Sequence, residues 1–312
     1  MSLEVLSLCG DNRLFTLDLE WIGDIKILRT VRIFSIALVH IATGDEWSCI
    51  VDPGVTHEQL RGFDTFPGCR TVTRSFLRRN RAVPFKTAFA RAVAFTQERC
   101  TTPWGAAGGM SSASPIVIAH GAFRGDMPAL ESALRRTSVP LPMWRFMDSL
   151  YYFRKVLPES NGYRLGDVAK AVGVSPESAG RAHDALPDAR LLYTVLKTGA
   201  WSHFYGAVYC FGQTPLLNVP GIGIRGQNLC FAYGIKSVED LLNFSLNCRL
   251  AAVPPAAPSH SAARTVPDLR SVKDAQRAQI ETSLRQMGIG QTPAASVAEF
   301  CMGCLKAFDE KN

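Results

Sequence analysis

The stretch "FTLDLEW" at residues 15–21 restricts the fold more than any other part of the chain. Apolar side chains alternate there with Thr16, Asp18 and Glu20, and a period of two belongs to an extended strand, in which residues i and i+2 share a face. Asp18 and Glu20 therefore project together, while Leu17, Leu19 and Trp21 project the other way. Two like charges this close repel, and on a central strand each also loses hydration, at roughly several kcal/mol, unless something positive lies between them. A divalent cation meets that need. A solvated edge strand is the other solution, and the pattern by itself leaves both open.

The neighbouring sequence indicates what kind of sheet the strand joins. Residues 14–22, 31–41 and 46–52 are three short β-rich runs whose spacing predicts an antiparallel meander. From about 57 to 100 the chain turns helix-like and basic, and "RSFLRRNRAVPFK" carries Arg74, Arg78, Arg79, Arg81 and Lys86. That run is either a track for a phosphate backbone or the solvated side of a helix. A Gly-, Ser- and Pro-rich loop follows, then the β-branched strand "IVIAH" and the amphipathic spacing of Met127, Leu130 and Leu134 in "DMPALESALRR". "MWRFMDSL" reads as another strand, and "RLGDVAKAVGV" and "PDARLLYTVLKTG" as helices, the latter with Pro in its first turn and Gly past its last. Alternating strands and helices after a meander describe an α/β domain, a mixed sheet flanked by helices, over residues 1–200.

Beyond Trp201 the composition shifts, and residues 201–312 are expected to form a mainly helical region. It opens with "VPGIGIRGQNL" and "YGIKSVEDLL", where Ser237 is placed to cap a helix, within an element spanning about 215–245. A Pro/Ala-rich linker is expected at about 251–268, with helices near 270–287 and 294–308. The nine cysteines lack framework spacing, and Cys301 and Cys304 in "CMGC" have no second pair to complete a zinc site, so both are expected as free thiols of a reducing, intracellular compartment. "MSLEVLSLCGDNR" does not read as a secretory signal, and "IFSIALVHIA" is half the length needed to cross a bilayer. A net charge of +7 suits a polyanionic partner and gives no reason to expect a membrane.

Two later sites bear on Asp18 and Glu20. In "IVIAHGAFRGDMPAL" a strand ends and a helix begins at Asp126; in "AHDALPDARLL" His183 precedes Asp188 by five residues. An Asp at a helix start is favoured by the helix dipole alone, so neither motif is specific by itself. Their order and spacing, D-x-E on the first strand, Asp after a strand-ending "AH", and H-x-A-x-x-D before a late helix, resemble the DEDDh exonucleases, which include proofreading subunits, ribonuclease T and the three-prime repair exonucleases. The resemblance covers about residues 12–200.

It implies a ribonuclease H-like sheet and removal of nucleotides from nucleic-acid 3′ ends, DNA slightly before RNA. It implies two Mg2+ ions, with Mn2+ as a substitute, on Asp18, Glu20, Asp126 and Asp188, and His183 as the general base. Those residue types suit the chemistry on their own account. Magnesium takes oxygen ligands, paired cations stabilise both attacking and leaving oxygens, and a near-neutral histidine can accept a proton. Trp21 and Ile22 stand where the family usually has small or hydroxylated residues, and Gly121 where it often has Asn. Leu19, Trp21 and His120 are expected near the terminal nucleotide, although strand alternation equally places Trp21 in the core and His120 is equally a structural residue at a strand end.

The segment at 215–245 resembles a helix-hairpin-helix element, in which Gly221, Gly223 and Arg225 would approach phosphates. The same glycines would equally serve helix packing. The expected partners are single-stranded DNA or RNA ends and a second copy of the chain, since the three-prime repair branch contains dimers. A silent nucleic-acid-binding protein that keeps the fold, and an exoribonuclease, are the alternatives.

Overall fold

The structure, a computed structural model, describes residues 4–8, 10–62, 72–100, 114–176, 185–199, 203–213, 215–216, 219, 221–222, 226–227, 229–230, 233, 235–251 and 269–309. The chain divides into two compact units, Ser2–Gly212 and Gln213–Asn312. In order, the first carries β1 (Glu4–Ser7), β2 (Leu14–Ile22), β3 (Arg32–His40), β4 (Glu46–Asp52), α1 (His57–Gly62), α2 (Arg74–Arg79), β5 (Val83–Pro84), α3 (Phe85–Cys100), β6 (Ile116–Ala119), α4 (Asp126–Arg136), β7 (Arg145–Asp148), α5 (Ser149–Val156), α6 (Leu165–Ala171), α7 (Ala185–Thr198), β8 (His203–Gly206) and β9 (Tyr209–Cys210).

The main sheet runs β5-β4-β3-β2-β6-β7-β9. β2, β3 and β4 form the antiparallel meander that the sequence predicts, with Asp18 opposite Ala37 and Glu20 opposite Ser35. On its other edge β2 pairs in parallel with β6, and β6 with β7. The result is the mixed sheet flanked by helices that the sequence predicts, here of seven strands. β3 is buried at every position after Arg32, because helices cover it from both sides.

The two faces of β2 are closed differently. Phe15 meets Phe95 of α3 edge-on, with ring centroids 6.1 Å apart. Thr16, on the face that carries Asp18 and Glu20, donates its hydroxyl to the carbonyl of Ala189 in α7 at 2.9 Å. Ala37 and Val39 of β3 pack there against Ala185 and Ala189. Small side chains on both sides let α7 approach the sheet closely, and Leu192, Val195 and Leu196 extend its buried face. After Ile22 the chain turns sharply at Gly23, where φ is +97° and a Cβ would stand 2.5 Å from the Thr30 carbonyl oxygen, so no larger residue fits.

The expected boundary at residue 200 moves to Gly212. β8 pairs with β1, β9 extends the main sheet beside β7, and Phe204 and Tyr209 are fully buried. Strands this short carry no periodic signal, and their partners lie far away in sequence, which is why the composition shift near Trp201 marks the wrong place.

The second unit contains α8 (Val238–Ala251), α9 (Leu269–Gln286) and α10 (Gln291–Asp309) around a core that includes Ile222, Leu241, Ile280, Leu284 and Val297. Ser237 caps α8 as expected: its hydroxyl accepts from the Asp240 N–H at 3.2 Å, and the Asp240 carboxylate accepts from the Ser237 N–H at 3.1 Å. The expected linker falls almost wholly outside the described residues. Cys301 is a buried thiol of α10, while the Cys304 side chain lies outside the described residues. Among the described residues no helix is long and apolar enough to cross a membrane.

Candidate metal centre

β2 lies where the strand order reverses: the chain runs outward from it through β3 and β4, then returns to its other edge as β6 and β7. A crevice opens at such a point, outside the carboxyl ends of the parallel strands. Asp18 and Glu20 sit in that half of β2, past Thr16, the last residue paired with β6. The close seat of α7 brings Asp188 to them. One carboxylate oxygen from each of Asp18, Glu20 and Asp188 lies within 4.8 Å of the others. Asp18, Glu20 and Asp188 would hold a hard divalent ion, which takes oxygen ligands and would supply charge stabilisation there. The all-carboxylate donor set fits magnesium or manganese.

Asp126 is the first residue of α4 and is held beside this group by the backbone. Because β6 stops pairing at Thr16, the Leu19 N–H needs another acceptor, and the Asp126 carboxylate takes it at 3.1 Å. Burial pushes the Asp126 carboxyl up to about 7, with the charge of Asp148 adding to the rise and backbone hydrogen bonds opposing it.

Asp148 is the residue that the sequence did not single out. It closes β7 and accepts the N–H groups of Gly121 at 2.9 Å, Phe123 at 3.1 Å and Leu150 at 2.9 Å. It thus caps α5 and shapes the loop that delivers Asp126 to β2. Burial pushes its carboxyl up to about 6 against those hydrogen bonds. The Asp-Ser pair after an apolar strand is an N-cap signal that could have pointed to it.

Three expected substrate contacts are placed differently. Leu19 is 3 % exposed, with its side chain in the core and its N–H taken by Asp126. His120 lies 2.7 Å by Nε2 from the Tyr163 carbonyl oxygen and 2.9 Å by Nδ1 from the Ser149 hydroxyl. A carbonyl can only accept, so Nε2 carries the proton and both ring nitrogens are engaged inside the domain. Burial pushes its basicity down, as suits a neutral structural ring. At Gly221 (φ +85°) a Cβ would stand 3.1–3.2 Å from Pro293 and Ser296, so this close approach serves the chain's own packing.

Trp21 is half-buried. Its ring lies against Gly125, where a Cβ would be 3.3 Å from Cη2, and so covers the entry to α4 one residue before Asp126. His183, Gly223 and Arg225 lie outside the described residues. The basic run resolves into parts: Arg74 donates to the Val55 carbonyl and pairs with Asp52 at 3.5 Å, whereas Arg78, Arg79 and Arg81 are exposed.

No protein-family model and no curated protein matches the chain. Among solved structures it is similar to the zinc-bound form of Escherichia coli exonuclease I in complex with single-stranded DNA, at 15 % identity and a TM-score of 0.39, covering 59 % of this chain and 40 % of that one. It is also similar to a yeast NOT1 MIF4G domain co-crystallised with CAF1, at 11 % identity, TM-score 0.39 and coverage of 60 % and 80 %. For the RNase domain of yeast Pop2 the values are 14 %, 0.36, 61 % and 77 %. The chain spans about two fifths of the exonuclease I chain.

Proposed function

We propose that the chain is a metal-dependent nuclease that removes nucleotides from nucleic-acid 3′ ends, DNA slightly before RNA, and releases nucleoside monophosphates. The observation that carries this reading is the meeting of Asp18, Glu20 and Asp188 at the switch point of a ribonuclease H-like sheet, although Asp188 is about 170 residues distant in sequence. In this reading Asp18, Glu20 and Asp188 hold the metal, and Asp126, fixed by the Leu19 N–H, completes the acidic set. Two divalent cations bound there would stabilise the negative charge that builds on the attacking and leaving oxygens of a phosphodiester. His183 accepts the proton of the attacking water. Trp21 forms a wall beside Asp126 against which a terminal base can lie.

The test is incubation of the purified protein with 5′-labelled single-stranded DNA and RNA in magnesium, beside a chelated control and Asp18→Ala. A ladder shortening from the 3′ end, lost in both controls, is the expected result and shows the preferred sugar. Intact substrate at high protein concentration, in manganese as well, together with a retained gel shift, would overturn catalysis and leave a binding module with this fold.

A further inference from the structure

A cavity of about 560 Å³ opens where the end of β4, the start of β3, the start of α3 and the end of α4 meet. Its lining carries Arg32, Lys86 and Arg136 against a single carboxylate, Asp52. Asp52 is already engaged: it accepts the Gly54 N–H at 3.0 Å and faces Arg74 at 3.5 Å. The three cations are not neutralised in this way. Among the described residues, Lys86 and Arg136 have no hydrogen-bond or ion-pair partner. Arg32 donates from Nη1 to the carbonyls of Arg29 at 2.7 Å and Val31 at 3.0 Å, which fixes the guanidinium and leaves the rest of its five N–H donors. Partial desolvation and the neighbouring Arg32 charge hold the Arg136 guanidinium below its ordinary basicity. Like charges gathered around one cavity repel until an anion lies between them.

We propose that this cavity binds a phosphate group, held by Arg32, Lys86 and Arg136. Guanidinium forks match phosphate oxygens in pairs, and Lys86 adds a point charge beside the start of α3. The cavity far exceeds one phosphate in volume, and Lys86 also borders an apolar cavity of about 650 Å³ walled by Phe89, Val93, Pro140 and Met143. An esterified phosphate with an attached nucleoside has both chemistries, so the ligand is a nucleotide phosphate, free or within a strand. Arg32 lies opposite Ile22, two residues along β2 from Glu20, so the cavity lies at the same end of the sheet as the acidic group. A strand as the source rests on the nuclease reading; the phosphate chemistry does not.

The test uses the full chain in chelator, so that no strand is cleaved. Binding of a 5′-labelled single-stranded oligonucleotide is followed by fluorescence anisotropy over a salt series, and inorganic phosphate and a nucleoside monophosphate are tested by thermal shift. Wild type is compared with Lys86→Ala/Arg136→Ala, in which both replaced side chains are exposed. Arg136→Glu alone is the second variant should the pair lower the melting temperature without ligand.

If a strand supplies the phosphate, the double variant weakens oligonucleotide binding roughly tenfold or more and flattens the log–log salt slope by about 0.7, the loss of one single-strand phosphate contact. If a free phosphate supplies it, oligonucleotide binding is the same in both proteins, while phosphate or the monophosphate stabilises wild type and not the variant. Degradation assays then decide the nuclease reading separately. Equal response of wild type and variants to all three ligands overturns the proposal.

Discussion

Asp148 is 5 % exposed and buries a carboxylate whose work is to accept backbone N–H groups. Its carboxyl, at about 6, lies above the unfolded value of 3.8, so between those pH values the folded chain holds more protons than the unfolded one. Stability therefore falls as pH rises through that window and levels off above it, by up to about 3 kcal/mol for this group. Asp126, raised in the same sense, adds to the trend. Urea unfolding between pH 4 and pH 7 should show the decline, and Asp148→Asn should make it shallower while lowering stability by about 1–3 kcal/mol through a lost acceptor. The acidic group makes a different prediction. Asp18→Asn or Asp188→Asn should abolish the melting-temperature rise that magnesium or manganese gives wild type, and reduce turnover at least about a hundredfold, the equivalent of ~2.7 kcal/mol. An undiminished metal response in both variants would remove the metal centre from these residues.

Among the elements, α7 decides whether the acids meet, and it does so with small side chains. Ala185 and Ala189 lie against Ala37 and Val39, and the Thr16 hydroxyl ties the helix to β2 through the Ala189 carbonyl. Ala189→Leu should cost about 1–3 kcal/mol by overpacking and, by displacing Asp188, should weaken metal binding; Tyr193→Phe, one turn along on the partly buried side, should do neither. Thermal melts with and without metal distinguish these outcomes. In the second unit, Ser237→Ala should cost about 1 kcal/mol by opening the cap of α8. Strands β2, β3 and β4, helix α4 and this cap were legible because each repeats at its own period or carries its cap in neighbouring residues. α5 was not, because its start signal is the side chain of Asp148, which the same residues present as the end of a strand.

On the scale of the whole molecule, the first unit closes only with β8 and β9. Phe204 and Tyr209 are fully buried there, and the Tyr152 hydroxyl donates to the His203 carbonyl at 2.9 Å. A fragment ending at Gly212 should melt cooperatively and keep the metal response, whereas one ending at residue 200 forfeits two buried aromatics, about 5 kcal/mol of the ~5–15 kcal/mol that holds a domain folded. Circular dichroism melts of the two fragments test this; equal stability would remove β8 and β9 from the fold's requirements. By itself the sequence determined which strand carries paired carboxylates and placed the β2–β4 meander, α4 and the Ser237 cap, because period and capping are local properties. Only the tertiary structure decided which residues share a site. Asp188 reaches Asp18 and Glu20 through the close seat of α7, Asp126 replaces a missing strand partner at Leu19, and His120 and Gly221 turn inward to satisfy their own chain. Proximity between residues a hundred or more positions apart follows from packing and from where hydrogen-bond ladders stop, and neither is written in a local pattern.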